Sequence, residues 1–343
     1  MVQKKTFTIY DIAAATNVSP ATVSRVLNGN YPVSKKTKEK VLAKIQEYNF
    51  KPNSIARSLS RKETKMIGMI LPDITNPFFS SVFIEIEKEA QKKGYTIFLC
   101  NSMNDPEMES LYLKVLYERQ VEGIIMMGGR INKTATVREE AEEVLEVMNK
   151  IPVLMINGYM EGVDCYKVRS DEKKGLKIML DHLAELGHRN FGLLGGTQGI
   201  TATDQKVQGF MQFLNEHGFH YNPDWHIYSG FSVESGQEAM EKLLRNEDLP
   251  TAIICINDMV ASGALKECGL QDIDPRQFAL AGYDDTFVAS ILTPSLTSIN
   301  HNYKKMGQAA MDLLIETVEE EERTEIVIDP FLTIRNSTKL YIR

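Results

Sequence analysis

The sequence predicts an α/β protein in two parts, a small three-helix head with a short appended helix and a long body of two doubly wound parallel-sheet subdomains. Three observations lead there. Charge is segregated: residues 1–62 carry nine Lys and three Arg against Asp11, Glu39 and Glu47, a balance of +9, although the 343-residue chain has a net charge of −7. The head contains three short stretches of helical periodicity with turn residues between them. Beyond residue 65, apolar β-rich runs alternate with amphipathic stretches, the pattern of parallel strands joined by helices.

Composition is that of an ordinary globular protein, 43% hydrophobic and 25% charged, and the length suffices for two or three domains with cores of their own. The N-terminal MVQKKTFTIYDIAAATN has lysines but no apolar stretch before a small-residue cleavage site, and runs such as IIMM and AIICI are too short to span a bilayer. A cytoplasmic protein without membrane contact is expected. Cys100, Cys165, Cys255 and Cys268 lack metal spacing and read as reduced core thiols. Neither metal nor cofactor is expected.

In the head, Thr8 followed by Asp11 starts a first helix, with Ile9, Ile12 and Ala13 sharing a face. Asn17-Val18-Ser19 is a short turn. Ser19 caps a second helix that begins with Pro20, where a missing N–H costs nothing, and ends at Asn28-Gly29. Val23, Val26 and Leu27 point inward, leaving Ala21, Thr22, Ser24, Arg25 and Asn28 on an outward face without an acid. Ser34 starts a third helix in which Val41, Leu42, Ile45 and Tyr48 recur at helical spacing. Three short helices with a tight second turn fit a helix-turn-helix, whose second helix enters the DNA major groove. Asn53 can cap a further helix of about two turns, too short to be stable alone.

The stretch TIYDIAAATNVSPATVSRVLNGNYPVSKKTKEKVLAKIQEYNFKPNSIARSLSRK resembles the head of the lac repressor (LacI/GalR) family along its whole length. The resemblance implies that Thr22, Ser24 and Arg25 lie in or beside the groove, with Pro20 and Ala21 at positions that select the operator. Tyr10, Asn28, Ser34 and Thr37 match backbone-contacting positions. Thr8, Ser19 and Asn53, as helix caps, complete the expected DNA-binding set. An Arg at position 25 can fork onto guanine O6 and N7. The resemblance makes residues of about 53–61 a hinge helix that folds in the minor groove beside its dimer mate. Leu59 would be wedged between central base pairs, with Ala56 at the close helix contact and Arg57 near phosphate. The head with its hinge is assigned to residues 1–62.

In the body (63–343), KMIGMILPD, YTIFLCNS, VEGIIMMG, PVLMING, FGLLGG, TAIICIND and FALAGYD are candidate strands. NPFF, LGHRNFGLLGG, CINDMVASGAL, AGYDD and PSLTSI continue the family resemblance. It implies a periplasmic-binding-protein-like core, with an N-subdomain of about 66–163 and 295–323 and a C-subdomain of about 164–294 and 324–343. Chain crossings are expected near Tyr159–Asp164, Leu292–Leu296 and Glu322–Glu325.

Ligands of such folds lie beyond the carboxyl ends of strands. Asn76, Phe78 and Phe79 follow the first body strand, with one of the two rings expected to face ligand; Asn257 and Asp284 end later strands, and Asp285 is expected to cap the next turn. The resemblance makes Phe231 a stacking ring and Asp284 an effector contact, and places His301 at a position often polar and cleft-facing. Carboxylates and amides beside aromatic faces suit a polyol. Two departures stand out. Lys206 occupies a position usually Arg, which weakens bidentate capture of a carboxylate. Leu176 and Met179 replace small residues and should alter the cleft lining or its packing. His182 and His188 read as structural.

GLLGGTQG and MMGG lack the spacing of phosphate-binding loops, and no HExxH, GxSxG or Cys/His cluster is present, so no enzyme is expected. The resemblance implies a homodimeric regulator of carbohydrate-related genes, most often a repressor, reading a near-palindromic DNA operator and controlled by a small effector (sugar, sugar phosphate or sugar acid). Induction is the favoured sign because Lys206 replaces the fork. An alternative is a catabolite-control-type regulator with a phosphorylated carrier protein as co-effector, disfavoured by Glu316 and Glu319–Glu322. A sugar-binding protein or sugar-modifying enzyme bearing a DNA-binding head is a remote one.

Overall fold

The computed structural model describes residues 7–28, 32–50, 63–315 and 325–339. The chain divides into two compact units, Met1–Thr64 and Lys65–Arg343, each with its own core. The hinge positions Asn53, Ala56, Arg57 and Leu59 lie outside the described residues, as do Glu316 and Glu319–Glu322.

The head contains α1 (Ile9–Thr16), α2 (Pro20–Asn28) and α3 (Lys35–Glu47). Thr8 and Asp11 form a reciprocal capping box, and Asn17 ends α1 in the left-handed conformation at φ 50°, one that Asn tolerates well. Ser19 accepts from the Thr22 N–H at 3.1 Å and Ser34 from the Thr37 N–H at 3.3 Å, so both later helices begin on hydroxyl caps. Ile12, Ala13, Val23, Val26 and Val41 form the core, joined by Ile45 and Tyr48. Leu42 is 44% exposed; the core takes residues 41, 45 and 48 of α3, and position 42 lies one 100° step off that face.

The body is built from two six-stranded sheets. The first contains β1 (Met66–Leu71), β2 (Thr96–Asn101), β3 (Gly123–Met127), β4 (Val153–Ile156) and β5 (Tyr166–Ser170). Between them run α4 (Pro77–Lys92), α5 (Pro106–Glu118) and α6 (Arg138–Met148). Then come α7 (Glu172–Glu185), β6 (Phe191–Leu194), α8 (Thr201–His217), β7 (His226–Ile227) and α9 (Val233–Leu243). The second sheet continues through β8 (Ala252–Cys255), α10 (Asp258–Leu270), β9 (Ala279–Asp284), α11 (Phe287–Ile291) and β10 (Thr297–Asn300). The chain closes with α12 (Tyr303–Ile315), β11 (Glu325–Ile328), β12 (Phe331–Thr333) and α13 (Asn336–Lys339).

Strand order is β11-β5-β4-β3-β1-β2 in one sheet and β12-β10-β9-β8-β6-β7 in the other, and among the described residues only β12 runs antiparallel to its neighbour. Strands β3, β4, β6, β8 and β9 are buried along their whole length because helices cover both sheet faces.

This pairing corrects the expected subdomain limits. β5 and β11 pair with each other and extend the first sheet, whereas β10 pairs with β9 in the second. α12 packs back on the first sheet through Met306, Ala310 and Met311. The chain therefore changes subdomain after β5, after β10 and after β11, rather than before each of them. β5 and β11 carry charged residues and are only partly buried, so their apolar signal is weak. The crossings fall at Asp171, at His301–Asn302 and at Asp329–Pro330.

No described helix is long and apolar enough to cross a membrane. All four cysteines are buried, and burial pushes the Cys100 and Cys268 thiols up to about 11.

Candidate functional sites in the head and the cleft

The outward side of α2 is accessible in the head. Ser19, Pro20, Ala21 and Arg25 are exposed, and Thr22 and Ser24 are half-buried. The Thr22 hydroxyl meets the Ser19 hydroxyl at 2.9 Å, so the cap also orients a side chain of this face. Tyr10 on α1 is 70% exposed, a large apolar ring left in solvent by a helix whose other face is packed. Thr8 and Ser34 are exposed and Thr37 is half-buried, with Ser34 and Thr37 hydroxyls 2.8 Å apart. Asn28 ends α2. No acid lies in the first turn of α2 or of α3, so neither helix N-terminus carries a charge that repels an anion.

In the body, a cavity of about 450 Å³ opens between the two sheets at their strand ends. Asn76, Phe78, Phe79, Lys206, Phe231, Asn257, Asp284 and His301 all line it. Both Phe78 and Phe79 do so, with ring centroids 5.3 Å apart, and both also pack against the core of the first sheet. Leu176 and Met179 do not: they are buried between α7 and α8, so their bulk changes packing alone. Asn101, Asn132, Asn157, Asp73 and Glu172 also line the cavity and were missed from sequence. Asn101 ends β2 and Asn157 follows β4, the strand-end placement that singled out Asn257.

The asparagines do two jobs. Asn76 Oδ1 caps α4 by accepting from the Phe78 N–H at 3.0 Å, and Asn257 Oδ1 caps α10 from the Val260 N–H at 2.8 Å. Asn101 and Asn157 accept from the Ile74 and Ser170 N–H groups. Each oxygen thus fixes a loop, and the amide nitrogens of Asn76, Asn101 and Asn157 remain donors for the cavity.

The charged groups are buried and paired. Lys206 Nζ lies 2.8 Å from Glu172 Oε2 and 3.9 Å from the centroid of the Tyr283 ring. Burial alone would raise the Glu172 carboxyl; Lys206, with smaller help from His301, outweighs it and holds the group below the ordinary carboxylate value. Asp284 sits at φ 100°, a conformation side-chain-bearing residues rarely adopt. His301 Nε2 reaches its Oδ1 at 3.1 Å and the Tyr303 hydroxyl donates to its carbonyl at 2.6 Å, which together hold that backbone. Burial raises the Asp284 carboxyl, against the opposing pull of His301. His301 is fully buried, and its Nδ1 has no hydrogen-bond partner among the described residues.

Asp285 does not cap the turn. Its carboxylate takes an ion pair from Arg335 at 2.7 Å and hydrogen bonds from Asn300 and Thr333, tying β10 to β12. His182 and His188 bond the hydroxyls of Thr338 and Thr251, away from the cavity.

Gly128 and Gly129 follow β3 on the cavity wall, at φ 71° and 59°. A Cβ on Gly128 would meet Pro72 at 2.5 Å, and one on Gly129 would overlap the Glu109 carboxylate. That carboxylate pairs at 2.8 Å with the fully buried Arg130, so MMGG serves a close turn over a buried ion pair. At the cavity rim, the Thr134 N–H donates to the Gly199 carbonyl at 2.9 Å and the Thr201 hydroxyl to the Asn132 carbonyl at 3.1 Å. Lys133 and Ile200 form an antiparallel bridge there. This clasp joins the two subdomains across the mouth.

A cationic helix-turn-helix unit in one chain with a two-sheet, cleft-bearing body defines a DNA-binding regulator with a periplasmic-binding-protein-like core. Residues 8–53 match the model for bacterial regulatory proteins of the lacI family. Residues 64–338 match that for periplasmic binding proteins and the sugar binding domain of the LacI family. The chain belongs to the LacI family of transcriptional repressors. The HTH-type transcriptional repressor PurR of Pasteurella multocida (strain Pm70) is 32% identical over 335 residues, 97% of this chain and 98% of that protein. The lac repressor dimer bound to operator and the anti-inducer ONPF has the same fold, with a TM-score of 0.85 at 24% identity over 97% of this chain and 99% of that one. A periplasmic binding protein/LacI transcriptional regulator from Alkaliphilus metalliredigens QYMF, complexed with D-xylulofuranose, gives a TM-score of 0.69 at 27% identity, over 80% and 99% respectively.

Proposed function

We propose that this repressor binds a near-palindromic operator as a homodimer and releases it when a small polyhydroxylated effector enters the cleft. The observation that carries the reading is the cavity lining: amide donors and the Asp284 carboxylate converge with three phenylalanine rings at the strand ends. Sugar hydroxyls take the polar groups and sugar C–H faces take the rings. The D-xylulofuranose complex of a relative supports a sugar in this place, and control of carbohydrate-related genes follows from that class. The clasp gives effector a means of action, since a ligand held by both subdomains favours the closed state and shifts the population toward it. Arg25, Thr22, Ser24, Pro20 and Ala21 meet base edges; Tyr10, Ser34, Thr37 and the caps Thr8 and Ser19 meet the backbone, with Asn28 at the end of the same helix. Asn53, Ala56, Arg57 and Leu59 serve as the hinge. A two-fold operator requires a two-fold protein.

The test joins a thermal-shift screen of sugars to operator binding by fluorescence anisotropy. A sugar that raises the melting temperature and weakens operator binding fits the scheme. Asp284→Ala should abolish that response while leaving operator affinity in place, and a retained response would move the effector site elsewhere.

A further inference from the structure

We propose that the Glu172–Lys206 ion pair is a charge filter: it keeps the cleft free of available positive charge, so that the effector admitted is an uncharged polyol and sugar phosphates and sugar acids are refused. The inference rests on the cleft being the effector site. Among the described residues lining the cavity, only Lys206 and His301 can bring positive charge, against Asp73, Glu172 and Asp284. Lys206 is answered twice, by Glu172 at 2.8 Å and by the face of Tyr283 at 3.9 Å. His301 Nε2 lies 3.1 Å from Asp284 Oδ1, so a cation on that ring has a counter-charge beside it. Asp73 is left over, so the cavity is on balance negative.

An anion entering this space has to draw Lys206 from Glu172. The Glu172 carboxylate, 6% exposed, would then lose the cation beside it, a costly way to break a buried pair. One attraction would replace another of equal kind while the anion still lost its hydration. A neutral polyol meets no such penalty and finds the Asn76, Asn101 and Asn157 amide nitrogens, the unpartnered Nδ1 of His301 and the phenylalanine rings. Glu172 escaped the sequence reading because an acid directly after the cap Asp171 reads as an ordinary first-turn residue.

Inorganic phosphate is the first probe, titrated calorimetrically into the full chain at low ionic strength. Glu172→Gln leaves the Lys206 ammonium without its counter-charge and should bind phosphate about tenfold tighter than wild type, a gain of one charge-assisted hydrogen bond. The gain should vanish in Glu172→Gln/Lys206→Met. Equal phosphate affinity in wild type and Glu172→Gln overturns the filter. If Glu172→Gln does not fold, Lys206→Met alone decides: unchanged phosphate affinity relative to wild type supports the filter, and weakened affinity overturns it. The second probe is a panel of aldoses with their 6-phosphates and aldonic acids on wild type. Preference for neutral members supports the filter, and a phosphate or acid bound more tightly than its neutral parent overturns it. Should no sugar of any class bind, the cleft reading fails, while the phosphate titration still reads the ion pair.

Discussion

The head and the cleft handle charge in opposite ways. On α2 the face that includes Arg25 is exposed to solvent and no acid stands in its first turn. In the cleft, Lys206, Glu172, Asp284 and His301 are all buried and each lies beside an opposite partner. The difference follows from what each surface meets. A polyanion supplies its own counter-charge, and neutralising it releases condensed ions, so cations awaiting DNA stay in water. A small uncharged ligand supplies none, so the charges around it have to be satisfied before it arrives.

The largest test of that contrast lies beside the cleft. Asp258, the first residue of α10, is buried and its carboxyl is pushed up to about 8, first by burial and then by the neighbouring Asp284. It accepts from the Thr286 N–H at 2.7 Å and the Ser298 hydroxyl at 2.6 Å. A folded-state value raised above the unfolded one means that the native body binds the proton more tightly. Its stabilising contribution is complete below the unfolded value near 3.8 and is lost as pH rises through about 8. Across that window the loss is of order 5 kcal/mol, since each tenfold in proton affinity is about 1.4 kcal/mol. Urea midpoints of the body between pH 5 and pH 8.5 should fall with rising pH, and Asp258→Asn, which keeps the shape and cannot ionise, should flatten the slope. An unchanged slope in the variant would show that this carboxyl is ionised in the native body throughout.

The next test asks whether the two regions are energetically separate. Ile12 is fully buried among Val23, Val26 and Val41 in the head core. Ile12→Ala should cost about 2–5 kcal/mol, most of what so small a unit can hold. Calorimetry should show the head transition lost and the body transition unmoved. Operator binding should disappear with the head. A parallel drop in the body transition would show that the two units fold as one.

Legibility from sequence divides along the same line. In the head, caps and periodicity placed all three helices, because each helix is local and its signals lie within a few residues. In the body, the seven apolar runs are β1, β2, β3, β4, β6, β8 and β9. β5, β10 and β11 were not read as strands, because marginal apolar runs are recognised only through the neighbours they pair with. Eight predicted cleft residues do share one cavity. Their partners were hidden: nothing in EKKG announces that Glu172 meets Lys206 34 positions later on a different helix.

A third test sharpens the head's side of the contrast. Arg25→Ala should cost about 1–3 kcal/mol at one base position, the worth of a bidentate guanine contact. Anisotropy titrations against single-base operator variants should show discrimination relaxed at that position and kept elsewhere. Uniform weakening across all sequences, with a shallower salt dependence, would make Arg25 a phosphate contact instead.

The smallest effect is expected at the clasp. Thr201→Val removes the hydroxyl that reaches the Asn132 carbonyl at 3.1 Å and keeps the side-chain shape. One such hydrogen bond is worth about 1 kcal/mol, so body stability should fall only slightly. The Thr134 N–H to Gly199 bond and the Lys133–Ile200 bridge remain. Because the lost bond joins the subdomains, its absence weighs on the closed state alone. Effector affinity should drop by a few-fold, with no change at the operator in the absence of effector. Equal affinity in wild type and variant would show that closure is set within the cavity rather than at its rim, and would shift the burden of coupling to the buried pairs around Asp284.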